Sequence, residues 1–68
     1  MVASVKKIPN LTPLIETTRR ARDNAMTAAD HARALDLPQL ARDLDALAAQ
    51  YSRVLSTAIR AQLRQEVP

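Results

Sequence analysis

A chain without a single glycine lacks the residue that reaches positive φ at least cost and lets a ligand or a second backbone come close. Phosphate-cradling loops, dinucleotide-binding turns, nucleophile elbows and tight hairpin turns all draw on that freedom. Its absence argues against nucleotide-binding enzymes and against β-hairpin folds. What remains open is a helical fold.

Length narrows the choice further. Sixty-eight residues make one domain at most, and a chain this short buries only a modest core. Such chains need a disulfide, a metal, very regular helix packing or self-association to be stable. There is no cysteine, which removes disulfides, thiolate metal sites and cysteine nucleophiles, and leaves the redox compartment unread. His31 is the one histidine, so no multi-imidazole metal site forms, and no cofactor is expected. Regular packing and self-association are left. No apolar run approaches the ~20 residues that cross a bilayer. The first residues lack the apolar stretch of a signal peptide, so a cytoplasmic protein without membrane contact is expected.

Residues 1–10 (MVASVKKIPN) carry Lys6 and Lys7 and no periodicity past Pro9, which reads as a flexible basic arm. The hairpin proper is expected over 11–68. Thr12 is the expected N-cap of the first helix, with Pro13 at its first position and Glu16 placing negative charge in the opening turn. Leu11, Leu14, Thr18, Ala21, Ala25, Ala28, Ala32 and Leu35 then follow in steps of three and four. That is a heptad stripe, flanked by Ile15 and Ala29, and it predicts a helix over about 12–35. Asp36-Leu37-Pro38-Gln39 interrupts it, because proline disfavours a helical residue before it and removes a backbone donor. Asp36 as N-cap with Gln39 three residues on forms a capping-box pattern. A second helix over about 37–65 carries the stripe Leu37, Leu40, Leu44, Leu47, Tyr51, Val54, Ala58 and Ala61, flanked by Ala41, Ala48, Leu55, Ile59 and Leu63. So short a connection packs the two helices antiparallel. A single helix kinked at Pro38 is the competing reading.

The stripes differ in bulk. The first is mostly alanine and the second holds leucine, tyrosine and valine, which suggests small side chains set against large ones. A two-helix hairpin has one internal contact face, so the wide apolar face of the second helix, together with Ile15 and Ala29, stays exposed in a monomer. At ~25 cal/mol per Å², a few hundred Å² left in water sacrifices several kcal/mol. The expected architecture is therefore all-α: an antiparallel two-helix hairpin that dimerises into a four-helix bundle. Leu44, Leu47, Tyr51, Val54, Leu55 and Ile59 are the expected surface for self-association or a partner. In hairpin length and heptad layout the chain resembles the Rop-type plasmid RNA-binding proteins, short cysteine-poor hairpins that dimerise. In shape it is also similar to the helical-hairpin chaperones of type III secretion and to short phage and plasmid regulators. No motif matches residue to residue.

Charge sorts along the hairpin. With the turn near Asp36, residues whose numbers sum to about 73 lie side by side. This gathers Arg19, Arg20 and Arg22 with Arg53, Arg60 and Arg64 at the open end, and Asp30, Asp36, Asp43 and Asp45 at the turn. A charged helix face is most often simply solvated, and arginines near a helix C-terminus suit its dipole. The functional reading is a basic patch for an acidic protein surface or for nucleic-acid phosphates. Against sequence-specific nucleic-acid binding stand the missing helix-turn-helix turn and the missing aromatic platform. A net charge of +3 predicts weak non-specific binding.

Other candidates read as packing. His31 is a boundary histidine before it is a pH-sensitive contact, and Tyr51 is a packing ring before it is an interface anchor. Asp43 and Asp45, two apart on a helix, do not face each other and make no catalytic dyad. Ser52, Ser56 and Thr57 have no histidine in reach. The expected function is a non-catalytic interaction module, a homodimer that binds an acidic protein as adaptor, small chaperone or inhibitor. A Rop-like nucleic-acid-binding dimer is the alternative.

Overall fold

A computed structural model describes residues 10–66, and the expected N-terminal arm lies outside them apart from Asn10. Two helices, α1 (Thr12–Ala34) and α2 (Pro38–Glu66), pack against each other as a hairpin. The kinked single helix is excluded by those contacts, and among the described residues there is no strand.

The start of α1 differs from the sequence expectation. Leu11, not Thr12, is the N-cap, and its carbonyl accepts from Ile15 N at 2.9 Å. The first four amides of a helix have no partner within it, and here three are resolved by other means. Leu11 N donates to Gln62 Oε1 at 2.9 Å, Thr12 N donates to Asn10 Oδ1 at 3.0 Å, and Pro13 has no N–H. Leu14, the fourth, belongs to a half-exposed residue. With Asn10 and Gln62 supplying the acceptors, the Thr12 hydroxyl is not needed as a cap, and no acidic residue stands in the first turn.

The turn is built at the end of α1 rather than by a capping box at the start of α2. Leu37 N donates to Ala32 O at 2.9 Å and Asp36 N to Arg33 O at 3.1 Å. This paired pattern is the Schellman motif, and it demands a left-handed residue between the two donors' helix and the exit. Asp36 takes that role at φ 63, in a chain with no glycine to offer. Asp tolerates the left-handed region better than most residues because its short side chain is locally polar. Asp36 is thus a C-terminal turn residue of α1, not the N-cap of α2, and the Gln39 side chain bonds forward to Asp43 instead. Pro38 opens α2, where its missing donor costs nothing, and Leu37 O accepts the first helical bond from Ala41 N at 3.0 Å.

The seam between the helices is small against small. Ala25, Ala29 and Ala32 of α1 meet a line of Ala41, Ala48, Leu55 and Ala58 on α2, all buried. Ala29, expected to be left at the surface, is 0 % exposed. On α2, Ala41, Ala48 and Leu55 from beside the stripe are buried together with Ala58 of the stripe, while Leu40, Leu47 and Val54 of the stripe and the flanking Ile59 and Leu63 stand exposed. The reason is steric: with one neighbour only, the axes close on the alanine faces, and bulky side chains are pushed to the margin. Thr18 is buried in the same seam with its Oγ1 donating to Leu14 O at 2.8 Å, so the hydroxyl is satisfied within its own helix.

Candidate interaction surface

Successive residues on an α-helix turn by about 100°, so residues seven apart share a row that drifts slowly around the helix. On α1 the row Leu14, Ala21, Ala28, Leu35 runs just to one side of the buried seam. On α2 the row Leu40, Leu47, Val54, Ala61 does the same. Because the helices are antiparallel, both rows fall on the same broad side of the hairpin. A groove of about 430 Å³ between Leu11 and Leu14 at the start of α1 and Val54, Ala58 and Ala61 of α2 opens on that side, with Arg53 and Thr57 at its outer edge. The rows pair into four rungs: Leu35 with Leu40 at the turn, then Ala28 with Leu47, Ala21 with Val54, and Leu14 with Ala61. All five large side chains of this ladder are exposed, Leu35 to 71 %. Exposed leucines taken singly are unremarkable, but a contiguous row is a different matter.

The opposite broad side carries the ion pairs. Arg33 spans the helices, with Nη1 donating to Asp45 Oδ2 at 2.9 Å and Nη2 to Asp30 Oδ1 at 2.8 Å. Hydrogen bonds to Asp30 and then to Asp45 hold the Arg33 guanidinium above its ordinary pKa. Arg22 pairs with the neighbouring Asp23 at 3.0 Å, and Arg19 with Glu16 at 3.6 Å. These pairs are solvent-exposed and contribute little to stability. The same side also carries the exposed apolar side chains of Met26, in the row of Arg19 and Arg33, and of Ile59.

Of the six residues expected to form a contact surface, Leu47 and Val54 lie on the ladder. Leu44 and Tyr51 are half-buried between the ladder and the seam, Leu55 is buried in the seam, and Ile59 sits on the ion-paired side. The ladder residues that this list omitted, Leu14, Leu35, Leu40 and the intervening alanines, are all members of the heptad stripes. Their seven-residue spacing is the signal that could have found them.

The arginines do not form one patch. Arg19 and Arg22 belong to the ion-paired side, and Arg20 faces away on the outer edge of α1. Arg53 and Arg60 share a polar groove of about 380 Å³ on the outer wall of α2, with Ser52, Ser56 and Thr57. Arg42 and Arg64 fall on that wall too by helical spacing. Neither a histidine nor a carboxylate lines the groove. His31 is exposed in the last turn of α1, where a cation suits the helix dipole.

Among the described residues no cluster of three or more potential metal ligands is found, and no helix is long and apolar enough to cross a membrane. No family model, no curated protein and no solved structure matches this chain.

Proposed function

We propose that this protein is a non-catalytic interaction module that works as a dimer of hairpins and meets an acidic protein partner through its arginines. The observation that carries the reading is the ladder: four apolar rungs in heptad register on one side, with the ion pairs on the other. Burying a leucine or valine fully contributes about 1.5–3 kcal/mol, so covering the exposed half of each large rung residue contributes on the order of 1 kcal/mol apiece. In a monomer that contribution is lost, and the remaining core is a line of alanines with one leucine. Docking on a second hairpin completes a four-helix bundle around both stripes. The arginines on the outer edges then orient whichever acidic surface the dimer binds, acting through encounter and register more than through raw affinity.

Molar mass by light scattering tests the dimer. A mass near twice that of the chain is expected, falling to the monomer mass in Leu47→Asp with helicity retained. A wild-type monomer at tens of micromolar, or a Leu47→Asp variant that stays dimeric, would remove the basis of this reading.

A second reading draws on one observation. Arg53 and Arg60 share a groove with three hydroxyl side chains, a donor set that suits phosphate oxygens as well as carboxylates. On that reading the dimer is a Rop-like binder of nucleic acid. Affinity for duplex RNA or DNA should then fall steeply with salt and vanish in Arg53→Glu/Arg60→Glu. No binding by the wild type at low salt would exclude it.

A further inference from the structure

We infer that the ladder seats a second copy of this chain antiparallel, the turn of one hairpin over the open end of the other, so that α2 lies along the second copy's α2. The inference rests on the dimeric reading and adds its geometry. Charge is the first argument. Over residues 25–50, the turn half of the hairpin holds Arg33 and Arg42 against four aspartates. Over 10–24 and 51–66, the open half holds six arginines against three carboxylates. A parallel dimer would stack acidic half on acidic half and basic on basic. The antiparallel dimer sets each half on its opposite; the ion-paired residues, Arg33, Asp30 and Asp45 among them, lie on the side away from the interface, so this bias acts through the net field of each half.

The rungs supply the second argument, because they are palindromic about one centre. Turning a second copy end for end places Leu14 against the second copy's Leu35 and Ala21 against its Ala28. On α2 the same rotation places Leu40 against the second copy's Ala61 and Leu47 against its Val54. The end layers then hold three leucines and an alanine, and the middle layers two alanines, a leucine and a valine. In the parallel arrangement the turn layer would hold four leucines and the Ala21–Val54 layer only alanine and valine. Even filling along the bundle favours the first. The row that borders the ladder on α1 is Thr17, Asn24 and His31. It meets itself across the dimer without a carboxylate or an arginine on either side. At the α2 border, Asp36 and Asp43 come level with the second copy's Arg64 and Arg60.

The arrangement has a consequence for the surface. With α2 beside the second copy's α2, the two outer walls bearing Arg42, Arg53, Arg60 and Arg64 face the same way. They merge into one arginine-lined surface about twice the width that either hairpin offers, with arginines toward both of its ends. A parallel dimer would put those walls on opposite sides. An extended acidic surface, such as an acidic helix or strand of another protein, is what a joined wall of this kind fits.

The absence of cysteine makes the test direct, since a single introduced thiol is the only one to label. Gln39 is exposed at the turn end, so Gln39→Cys carrying a nitroxide reports where the two turns sit. In the antiparallel dimer the labels are separated by about 23 residues of helix rise, roughly 35 Å at 1.5 Å per residue. In the parallel dimer they share one end and lie across the width of two helices, about 20–24 Å at 10–12 Å per helix. Pulsed electron–electron resonance should give the longer distance on a sample whose mass is that of a dimer. A dimer with the short distance overturns the antiparallel geometry and leaves the dimeric reading standing. A monomer mass for both the wild type and the labelled chain overturns both.

Discussion

Gln62 Oε1 accepts a hydrogen bond from Leu11 N at 2.9 Å, so the first amide of α1 is capped by a side chain fifty-one positions along the sequence. Helix starts are usually capped by a neighbour in sequence, as Asn10 does here for Thr12. The long-range cap ties the beginning of α1 to the last third of α2 and fixes the open end of the hairpin.

Removing that acceptor should loosen the open end first. Gln62→Ala is expected to lower unfolding free energy by about 1 kcal/mol, the net value of one hydrogen bond. Amide hydrogen exchange over residues 11–15 should accelerate while the turn end, around Ala32 and Ala41, keeps its protection. Uniform acceleration along both helices would mean that the contact holds the whole fold and not its end.

Asp36 should be improvable. It holds φ 63 where a non-glycine residue is strained, and the Schellman hydrogen bonds on either side leave it no other conformation. Asp36→Gly relieves that strain but adds freedom to the unfolded chain, and the balance should be a gain of about 0.5–1 kcal/mol. Asp36→Val should lose more than that, because a β-branched residue fits the left-handed region worst. Urea midpoints for the three chains at one protein concentration check the order Gly above Asp above Val.

The architecture was readable because its signals are periodic and local. Heptad spacing from Leu11 to Leu35 and from Leu37 to Ala61 marks both helices, and Pro38 marks the break. The bounds fall within a residue of those expected. Two kinds of information were not local. Whether Leu47 or Ala48 faces the partner helix depends on how closely the axes approach, and periodicity treats neighbouring rows alike. The turn was misread because Asp36 serves equally well as an N-cap and as a left-handed C-terminal residue. Only its position relative to Ala32 and Arg33 decides between them. The apolar ladder was half visible: its rows are in the stripes, but which half of a stripe stays uncovered becomes plain only once α1 and α2 are packed.

The Arg33 bridge to Asp30 and Asp45 should matter less than its geometry suggests. All three side chains are at least half exposed, so water screens the pairs. Arg33→Ala is expected to shift the urea midpoint only slightly at low salt, and not at all at 0.5 M sodium chloride, about the concentration at which exposed pairs are screened out. A loss that persists in high salt would show that the aliphatic stem of Arg33, packed across the helices, contributes more than its charge.

Ala29 sets the distance between the helices. It is 0 % exposed, the most deeply buried of the described seam residues. Ala29→Leu should therefore cost about 1–3 kcal/mol by overpacking, although leucine is as good a helix former. The same change at Ala28, on the ladder and only half-buried, should leave the isolated hairpin intact. It should instead change the self-association constant. Sedimentation and urea unfolding on the two variants separate seam from ladder.

Leu55 and Leu47 give the sharpest contrast, because they are chemically identical and about two helix turns apart. Leu55 is 5 % exposed and lies in the seam, whereas Leu47 is 38 % exposed on the ladder. Leu55→Ala removes the largest buried side chain of the alanine seam and should lower stability by about 2–3 kcal/mol at every protein concentration. Leu47→Ala should cost little in dilute solution, where the chain is monomeric. Its cost should grow as concentration rises and dimer forms, since a ligand-like partner stabilises by mass action. Unfolding curves collected over a hundredfold range of concentration distinguish the two. If Leu47→Ala is as costly at the lowest concentration as at the highest, the ladder supports the hairpin itself and not its association with a second copy.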